Sequence, residues 1–535
     1  LILEAYARWG THCAKRLRGD FAFAIWDRQR RRIFCARDLL GVKSVNYHMG
    51  PDVFCFASEM RGVIVHEAVP HELNEGRIAD FLIHRLEGID HHSTFYRDVR
   101  RLPPAHHVVI SAEGMVIQRY AKLEAPSTLR LRSDSDYAEA FQERIDVAVG
   151  ESLRCHGAPA LMLSGGLDSA TLVASARKLE RDEGHPPLAV FSAQSRLADC
   201  LETHFANAVI SQGDLAPTRV LAGEMGAHQA AMENTYEAME APFDSNMTLL
   251  IAVYQRARRG GHKVLLDGVD GDLVASLGTS YPAYLLRQGQ LWMAQREVLG
   301  QWKNTYRRTA PLWQLALRTA GPVLLPAMRQ WWKERTATKR RASVPLGTVI
   351  HPDFAKRIQL SERLEALERH HGDGLAPTLG EASCQRLTHP YLAVALERYN
   401  RLASLCGLEA RHPLLNQRLV EFCLSLPWEQ KSRHGWSKWI MRHAGEARLP
   451  RTLCWRRGHE HLGGSFSAHW MSLHATSINA ELQAPDPLLE NYVDLATARR
   501  AWYAHRHGGS FDDQVNAWYA YILSRWLRRQ KVSEF

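Results

Sequence analysis

The 535-residue chain is 45% hydrophobic and 23% charged, with a formal net charge of +10; this balance is ordinary for a globular protein, and the length allows two or more cores. No apolar run is long enough to span a bilayer and no secretory n-region and h-region opens the sequence, so membrane insertion is not expected. The nine cysteines are scattered without a Cys-x-x-Cys pair, which speaks against a zinc site or disulfide framework and for a reducing cytoplasm. The positive charge suits an anionic partner, although arginine-rich solvated faces account for it as well. His91-His92, His106-His107 and His370-His371 are adjacent, so their side chains face apart on a strand or helix; most are expected at the surface rather than on a metal.

In chain order, Leu1 to Trp9 reads as a helix. Gly19 to Asp27, Arg31 to Asp38, Val45 to His48 and Val53 to Glu59 then read as antiparallel strands, before a helix near Met60 to Val65. Strands in this number predict a sheet-rich α+β unit. A boundary is expected near Pro126-Ser127, after Val108 to Ile110 and Tyr120. Asp136 to Leu153 has helical apolar spacing. Ala160 to Leu163, Leu188 to Ala193 and Arg219 to Leu221 read as strands around a helix near Leu197 to Ile210. That alternation predicts a doubly wound parallel sheet with ligands at the carboxyl ends of its strands.

The most informative stretch is Leu163-Ser164-Gly165-Gly166-Leu167-Asp168-Ser169, two glycines between an apolar strand and a helix. Glycines let the backbone approach a phosphate, and the N–H groups opening the helix point at it with the positive end of its dipole. An aspartate inside such a loop repels phosphate unless a cation lies between them, which implies magnesium. The lysine of a Walker A loop is absent. A plain strand–turn–helix junction would also use Gly-Gly with a serine cap.

His262 to Asp272 is a second strand ending in an acidic turn, Asp267-Gly268-Val269-Asp270-Gly271-Asp272, so Asp168 and Asp272 can meet on one hard cation. From Tyr281 to Ser343, Trp292, Trp302, Trp313, Trp331 and Trp332 stand among arginines with only two acids. Such a segment suits base stacking, an acidic peptide or a membrane surface. Amphipathic helices with a charged outer face are the plainer expectation; gating or peptide capture is the task anticipated if it has one. The remainder, Tyr391 to Phe535, reads mainly as helices.

Ser164 to Ser169 resembles the pyrophosphate loop of the ATP-pyrophosphatase superfamily. Gly19, Phe21-Ala22-Phe23, Trp26-Asp27, Arg37-Asp38, Gly41, Lys43 and Ser58-Glu59 resemble the later part of a class II glutamine amidotransferase domain. Leu408-Glu409-Ala410-Arg411-His412-Pro413-Leu414-Leu415-Asn416, with Lys438, Arg442, Leu449-Pro450 and Trp455-Arg456, resembles the C-terminal signature of asparagine synthetases. The resemblance implies residues 1–125 as a partial amidotransferase-like unit and 126–535 as an ATP-pyrophosphatase unit carrying the insert at 281–343. It implies ATP held by Leu163, Ser164, Gly165, Gly166, Asp168, Ser169, Ala193, Asp267 and Gly268, with Mg²⁺ on Asp168 and Asp272. Asp270 is a further catalytic candidate. The amidotransferase nucleophile, an N-terminal cysteine, and its glutamine-binding loops have no counterpart here, and Cys13 lacks the free amine such a nucleophile uses, so glutamine hydrolysis is not expected of this chain; the missing Met favours a fragment.

In the resembling family a catalytic lysine follows the Trp-Arg pair. Here Arg457-Gly458-His459 stands there, and His459 or Arg457 is expected to supply its charge. Glu409 and Arg411 are expected as a buried structural ion pair. The implied chemistry is amide formation through an acyl-adenylate, releasing AMP and pyrophosphate. Asparagine synthetase, using aspartate with glutamine or ammonia, is one candidate. The favoured one is the asparagine synthetase-like cyclase of lasso peptide biosynthesis, on the acidic turn, the Gly435-Trp436-Ser437-Lys438 and Glu460-His461-Leu462-Gly463 variants, and the basic aromatic insert. Such a cyclase implies a peptide substrate, a leader-binding protein and a protease, and no nucleic acid. A tRNA-modifying enzyme with the same loop and an ATP-binding scaffold without turnover are lesser alternatives.

Overall fold

The computed structural model describes residues 1–197, 199–277, 280–307, 310–324, 348–370, 376–458 and 460–532. After the helix Ile2–Trp9, β1 (Ala22–Asp27), β2 (Arg32–Arg37), β3 (Asn46–Met49), β4 (Phe54–Ala57), β5 (Arg100–Arg101), β6 (His106–Ser111) and β7 (Gly114–Arg119) form two antiparallel sheets, ordered β1-β2-β6-β7 and β4-β3-β5. Cys13 is fully buried at the edge of the first sheet's apolar cluster, where burial raises its thiol pKa. His107 is also buried, against Phe34 and Tyr120. The pleat that separates it from His106 turns it into the core.

The second unit opens on the helix Asp134–Leu153, two residues earlier than the apolar spacing suggests. Ser133 and Asp136 cap it reciprocally: the Ser133 hydroxyl accepts the Asp136 N–H (3.2 Å) and the Asp136 carboxylate accepts the Ser133 N–H (3.1 Å). Then come β8 (Ala160–Met162), β9 (Leu188–Gln194), β10 (Leu215–Leu221), β11 (Val264–Leu266) and β12 (Glu409–Arg411), all parallel in the order β10-β9-β8-β11-β12. Alternate strand residues serve two cores. Leu161, Val190, Val264 and Leu266 pack with the helices Asp134–Leu153 and Leu167–Asp182. Ala160, Phe191, Leu265 and Ala410 pack with the helix Met247–Arg259 and the C-terminal helices. Helices on both faces of a parallel sheet make it doubly wound, as the alternation predicts. The chain leaves β8 towards β9 and β10 and later returns to its other side as β11 and β12, so the topological switch point lies between β8 and β11.

The last helix, Phe511–Val532, belongs to both units. Its Tyr519 ring lies 4.7 Å from Phe81, its Trp526 ring 5.3 Å from Phe95, and the Tyr96 hydroxyl donates to Gln530 Oε1 (2.7 Å). Along the same seam Glu397 accepts from the buried Arg37 (3.0 Å) and from Arg101 (2.7 Å). None of the described helices is long and apolar enough to cross a membrane.

Candidate active site

Two glycine turns meet at the switch point. Leu163 extends the sheet by one residue, its N–H donating to Phe191 O (2.9 Å), so the ATP contact expected at Leu163 has to use another atom. Ser164 to Gly166 then turn into the helix Leu167–Asp182. Gly165 has φ 78°, and a Cβ there would lie 2.1 Å from the Glu202 carbonyl oxygen, so only glycine fits. The loop is held from within: Ser169 Oγ accepts the Ser164 N–H (3.1 Å), lies 3.0 Å from Ser164 Oγ, and Ser164 Oγ accepts the Gly166 N–H (3.2 Å). Gly166 is the N-cap and carries no side-chain cap, which leaves the first-turn donors of a long helix available to an anion.

The second turn is pressed against this one. The Asp267 N–H donates to Arg411 O (3.0 Å), continuing the β11–β12 pairing. A Cβ on Gly268 would lie 2.7 Å from Ser169 N, and one on Gly271 would lie 2.4 Å from Asp168 Cγ. These contacts explain both glycines and bring Asp168 and Asp272 to one place. Ala193 sits buried in β9, at the same carboxyl edge of the sheet.

A residue from far along the chain completes the group. The Lys438 ammonium donates to Asp168 Oδ2 (2.6 Å) and lies 2.9 Å from Asp272 Oδ1. Burial works against the charge on Lys438, but Asp168 and Asp272 hold its pKa above the ordinary value. Burial pushes the Asp168 carboxyl up, against the pull of Lys438. Lys438 itself has φ 56°, a left-handed conformation that costs a lysine about 1–2 kcal/mol and that its surroundings must impose.

Asp267 and Asp270 behave differently. Asp267 Oδ1 lies 2.8 Å from His412 Nδ1, both residues buried. Burial opposes a charged imidazole, yet the Asp267 carboxylate leaves His412 raised. Asp270, at φ 66°, has a buried Oδ2 without a hydrogen-bond partner among the described residues. Burial pushes its pKa up to about 7, with Asp267, Asp168 and Asp272 adding to the rise against the pull of His412. A carboxyl titrating near neutrality can take or give a proton during a reaction.

Behind the loop the buried Arg456 donates to Gly165 O and to Glu202 Oε1 (2.8 Å). Arg442 donates to Ser437 O (2.7 Å) and Cys454 O (2.6 Å), and burial lowers its pKa to about 10. Arg457, expected to supply the missing charge, is exposed; the neighbour that reaches the loop is Arg456, because the chain turns its side chain inward onto Phe205. His459 lies outside the described residues. Glu409 and Arg411 do pair, at 3.1 Å, but at a half-exposed strand end rather than in a core. Residues two apart share one face of β12, and that face reaches solvent here.

Lys438, Arg456, Glu202 and His412 are functional candidates that the sequence reading did not single out as such. The signal for Lys438 is the His-Gly pair three residues before it, a two-residue hairpin loop that fixes where the next residues point.

The residues fit a magnesium ion of modest protein ligation. Among the described residues Asp168 Oδ1 is buried without a hydrogen-bond partner, and the Asp272 side chain is 71% exposed beside it. Mg²⁺ binds by one or two carboxylates and completes its shell from phosphate and water. Among the described residues no group of three or more His, Cys, Asp or Glu is placed to hold a metal unaided.

Residues 140–528 match the asparagine synthase family model, and residues 1–121 match that of a glutamine amidotransferase domain. Asparagine synthetase [glutamine-hydrolyzing] 3 of Bacillus subtilis (strain 168) is 24% identical over 480 residues, covering 85% of this chain and 69% of that protein. A putative asparagine synthetase [glutamine-hydrolyzing] 2 of Methanocaldococcus jannaschii is 29% identical over 178 residues, 33% of this chain and 35% of that one. Amidase chry2 of Gibberella zeae is 27% identical over 179 residues, 32% of this chain and 25% of that one. With the family model spanning most of the chain and the nucleotide-type loop at the switch point of its sheet, the chain belongs to the asparagine synthase family of ATP-dependent ligases.

Proposed function

We propose that this chain joins a side-chain carboxylate and an N-terminal amine of one peptide, as a lasso peptide macrolactam cyclase. The carboxylate attacks the α-phosphorus of ATP to give an acyl-adenylate, and pyrophosphate leaves into the Ser164–Ser169 loop. The amine then attacks the acyl carbon and AMP leaves, so one hard condensation becomes two easier displacements. The loop N–H groups, the Ser164 and Ser169 hydroxyls and the Lys438 ammonium stabilise the charge that gathers on pyrophosphate. Asp270, raised to about 7, accepts in its carboxylate form the proton the amine releases. Asp168 and Asp272 would hold Mg²⁺, which when bound neutralises phosphate charge.

The observation that carries the ligase chemistry is the convergence of Asp168, Asp272 and Lys438 at an uncapped helix N-terminus between β8 and β11. Support for a peptide substrate comes from the spelling of the acidic turn, the Gly435-Trp436-Ser437-Lys438 and Glu460-His461-Leu462-Gly463 variants, and a basic insert in which Trp292 and Trp313 are 74% and 65% exposed. Trp331 and Trp332 lie outside the described residues. A leader-binding protein and a protease would be its partners. The second reading is asparagine synthesis from aspartate with glutamine or ammonia, favoured by what the Bacillus and Methanocaldococcus relatives are called.

Pyrophosphate release from ATP and Mg²⁺ separates them, measured with aspartate plus ammonia and, in parallel, with a lasso-type precursor peptide, against Asp168→Ala as the blank. Release with peptide alone, giving a product lighter by one water, is expected. Asparagine formed from aspartate and ammonia would sink the cyclase reading, and silence with both while ATP still binds would indicate a scaffold.

A further inference from the structure

Glu297 is one of only two acids between Tyr281 and Ser343, among many arginines, yet it is buried, at 7% exposure. It stands on the insert helix Leu291–Gln301. Its two carboxylate oxygens accept one N–H each, from His434 (2.7 Å) and Gly435 (2.7 Å). Those residues are the loop of a hairpin between β13 (Ser432–Arg433) and β14 (Trp436–Ser437). With φ of 53° and 75° they make the primed turn that matches strand twist, and both N–H groups point out of the hairpin. The residue that follows β14 is Lys438.

Two further contacts bind the same segment to the site. Gly300 meets the turn backbone to backbone: a Cβ there would lie 2.6 Å from His434 O, and one on Gly435 would lie 2.0 Å from Gly300 C. Asn304, in the π-helical turn Trp302–Tyr306, donates its amide to His434 O (3.4 Å) and accepts the Gly458 N–H at its carbonyl (3.3 Å). One stretch of the insert therefore grips the turn before Lys438 and the segment just after Arg456.

We propose that Glu297 is a positioning residue, clamping the 432–437 hairpin so that the left-handed Lys438 is presented to the phosphate loop, and that the insert thereby sets the loop's affinity for pyrophosphate. This rests on the reading of Lys438 as a phosphate-site cation. A carboxylate is required because two adjacent donors need two acceptor atoms. A glutamine there offers one acceptor and sets its NH₂ against the other N–H.

The test is calorimetric binding of inorganic pyrophosphate with Mg²⁺ to the full chain, with urea midpoints recorded for every variant. Glu297→Gln is expected to weaken binding about 10-fold, and Lys438→Ala by at least as much. If Glu297 acts through Lys438, the double variant binds no more weakly than Lys438→Ala alone. Gly300→Ala provides a second probe: alanine favours a helix, so weaker binding without a lower urea midpoint reports the turn contact. Additive losses in the double variant would overturn the clamp while leaving the phosphate site standing. Unchanged binding in Lys438→Ala would remove the underlying reading and the clamp with it.

Discussion

Two clusters of acids share the turn from Asp267 to Asp272, and they are neutralised by different means. Asp272 joins Asp168 around the ammonium of Lys438, at the open end of a helix. Asp267, five residues earlier, is buried on His412, and Asp270 between them keeps a carboxyl oxygen with no partner among the described residues. In the function proposed above, the first cluster exchanges partners: a lysine on a flexible stem can release carboxylates to a metal and turn to phosphate. The second is built to stay, an imidazole wedged on a buried carboxylate that ties β11 to β12. On that reading binding and framework sit on one turn, with Asp270 between them.

The strongest way to break this contrast is Lys438→Ala. It is expected to cut pyrophosphate release about 10²–10³-fold and, by leaving Asp168 unpaired, to cost about 3 kcal/mol of stability, read by single-turnover kinetics and urea unfolding. His412→Ala should instead act on the frame, costing about 3 kcal/mol as the buried Asp267 loses its partner, with any kinetic loss secondary to that. Because His412 is raised in the folded chain, its contribution is complete below the unfolded imidazole value and is lost as pH rises through the folded one. Stability of the wild-type should therefore fall above neutral pH, and His412→Gln should flatten that fall.

Asp270→Asn sharpens the contrast from the middle. Its folded pKa is raised to about 7, so the wild-type loses stability as pH climbs from the ordinary carboxyl range to neutrality, where the folded chain must give up a proton it prefers to keep. The asparagine variant should lose that slope and be the more stable of the two at pH 8. Its turnover should also lose the rise centred near pH 7. Arg457→Ala is expected to do least, changing turnover less than about 2-fold and stability within about 0.5 kcal/mol, because the side chain is exposed; a loss like that of Lys438→Ala would return Arg457 to the site.

What was legible in the sequence divides along the same line. The Ser164–Ser169 loop and the acidic turn are local: glycines, a strand before and a helix after carry the whole geometry, so their convergence could be read from spacing. The meeting of Lys438 with Asp168 could not, since the two lie 270 positions apart and come together only through the fold. Arg456 and Arg457 are adjacent and chemically alike, and only the turn after Cys454 decides which faces the loop. For Glu409 and Arg411 the pairing was legible from their spacing, but burial depends on what covers the strand end. Glu297 left a trace of another kind, a lone acid amid arginines, which marks a group with a specific duty without saying where.

The helix Phe511–Val532 has a consequence for how such a protein can change over generations. Its Trp526 and Tyr519 rest on Phe95 and Phe81 of the antiparallel half, so the ligase half is finished by the other half's side chains. A lineage that stops using glutamine gains nothing by discarding that half, because doing so would bare a tryptophan-rich flank to water. Retention of the amidotransferase-like body then follows from packing alone, whatever that half does or does not catalyse.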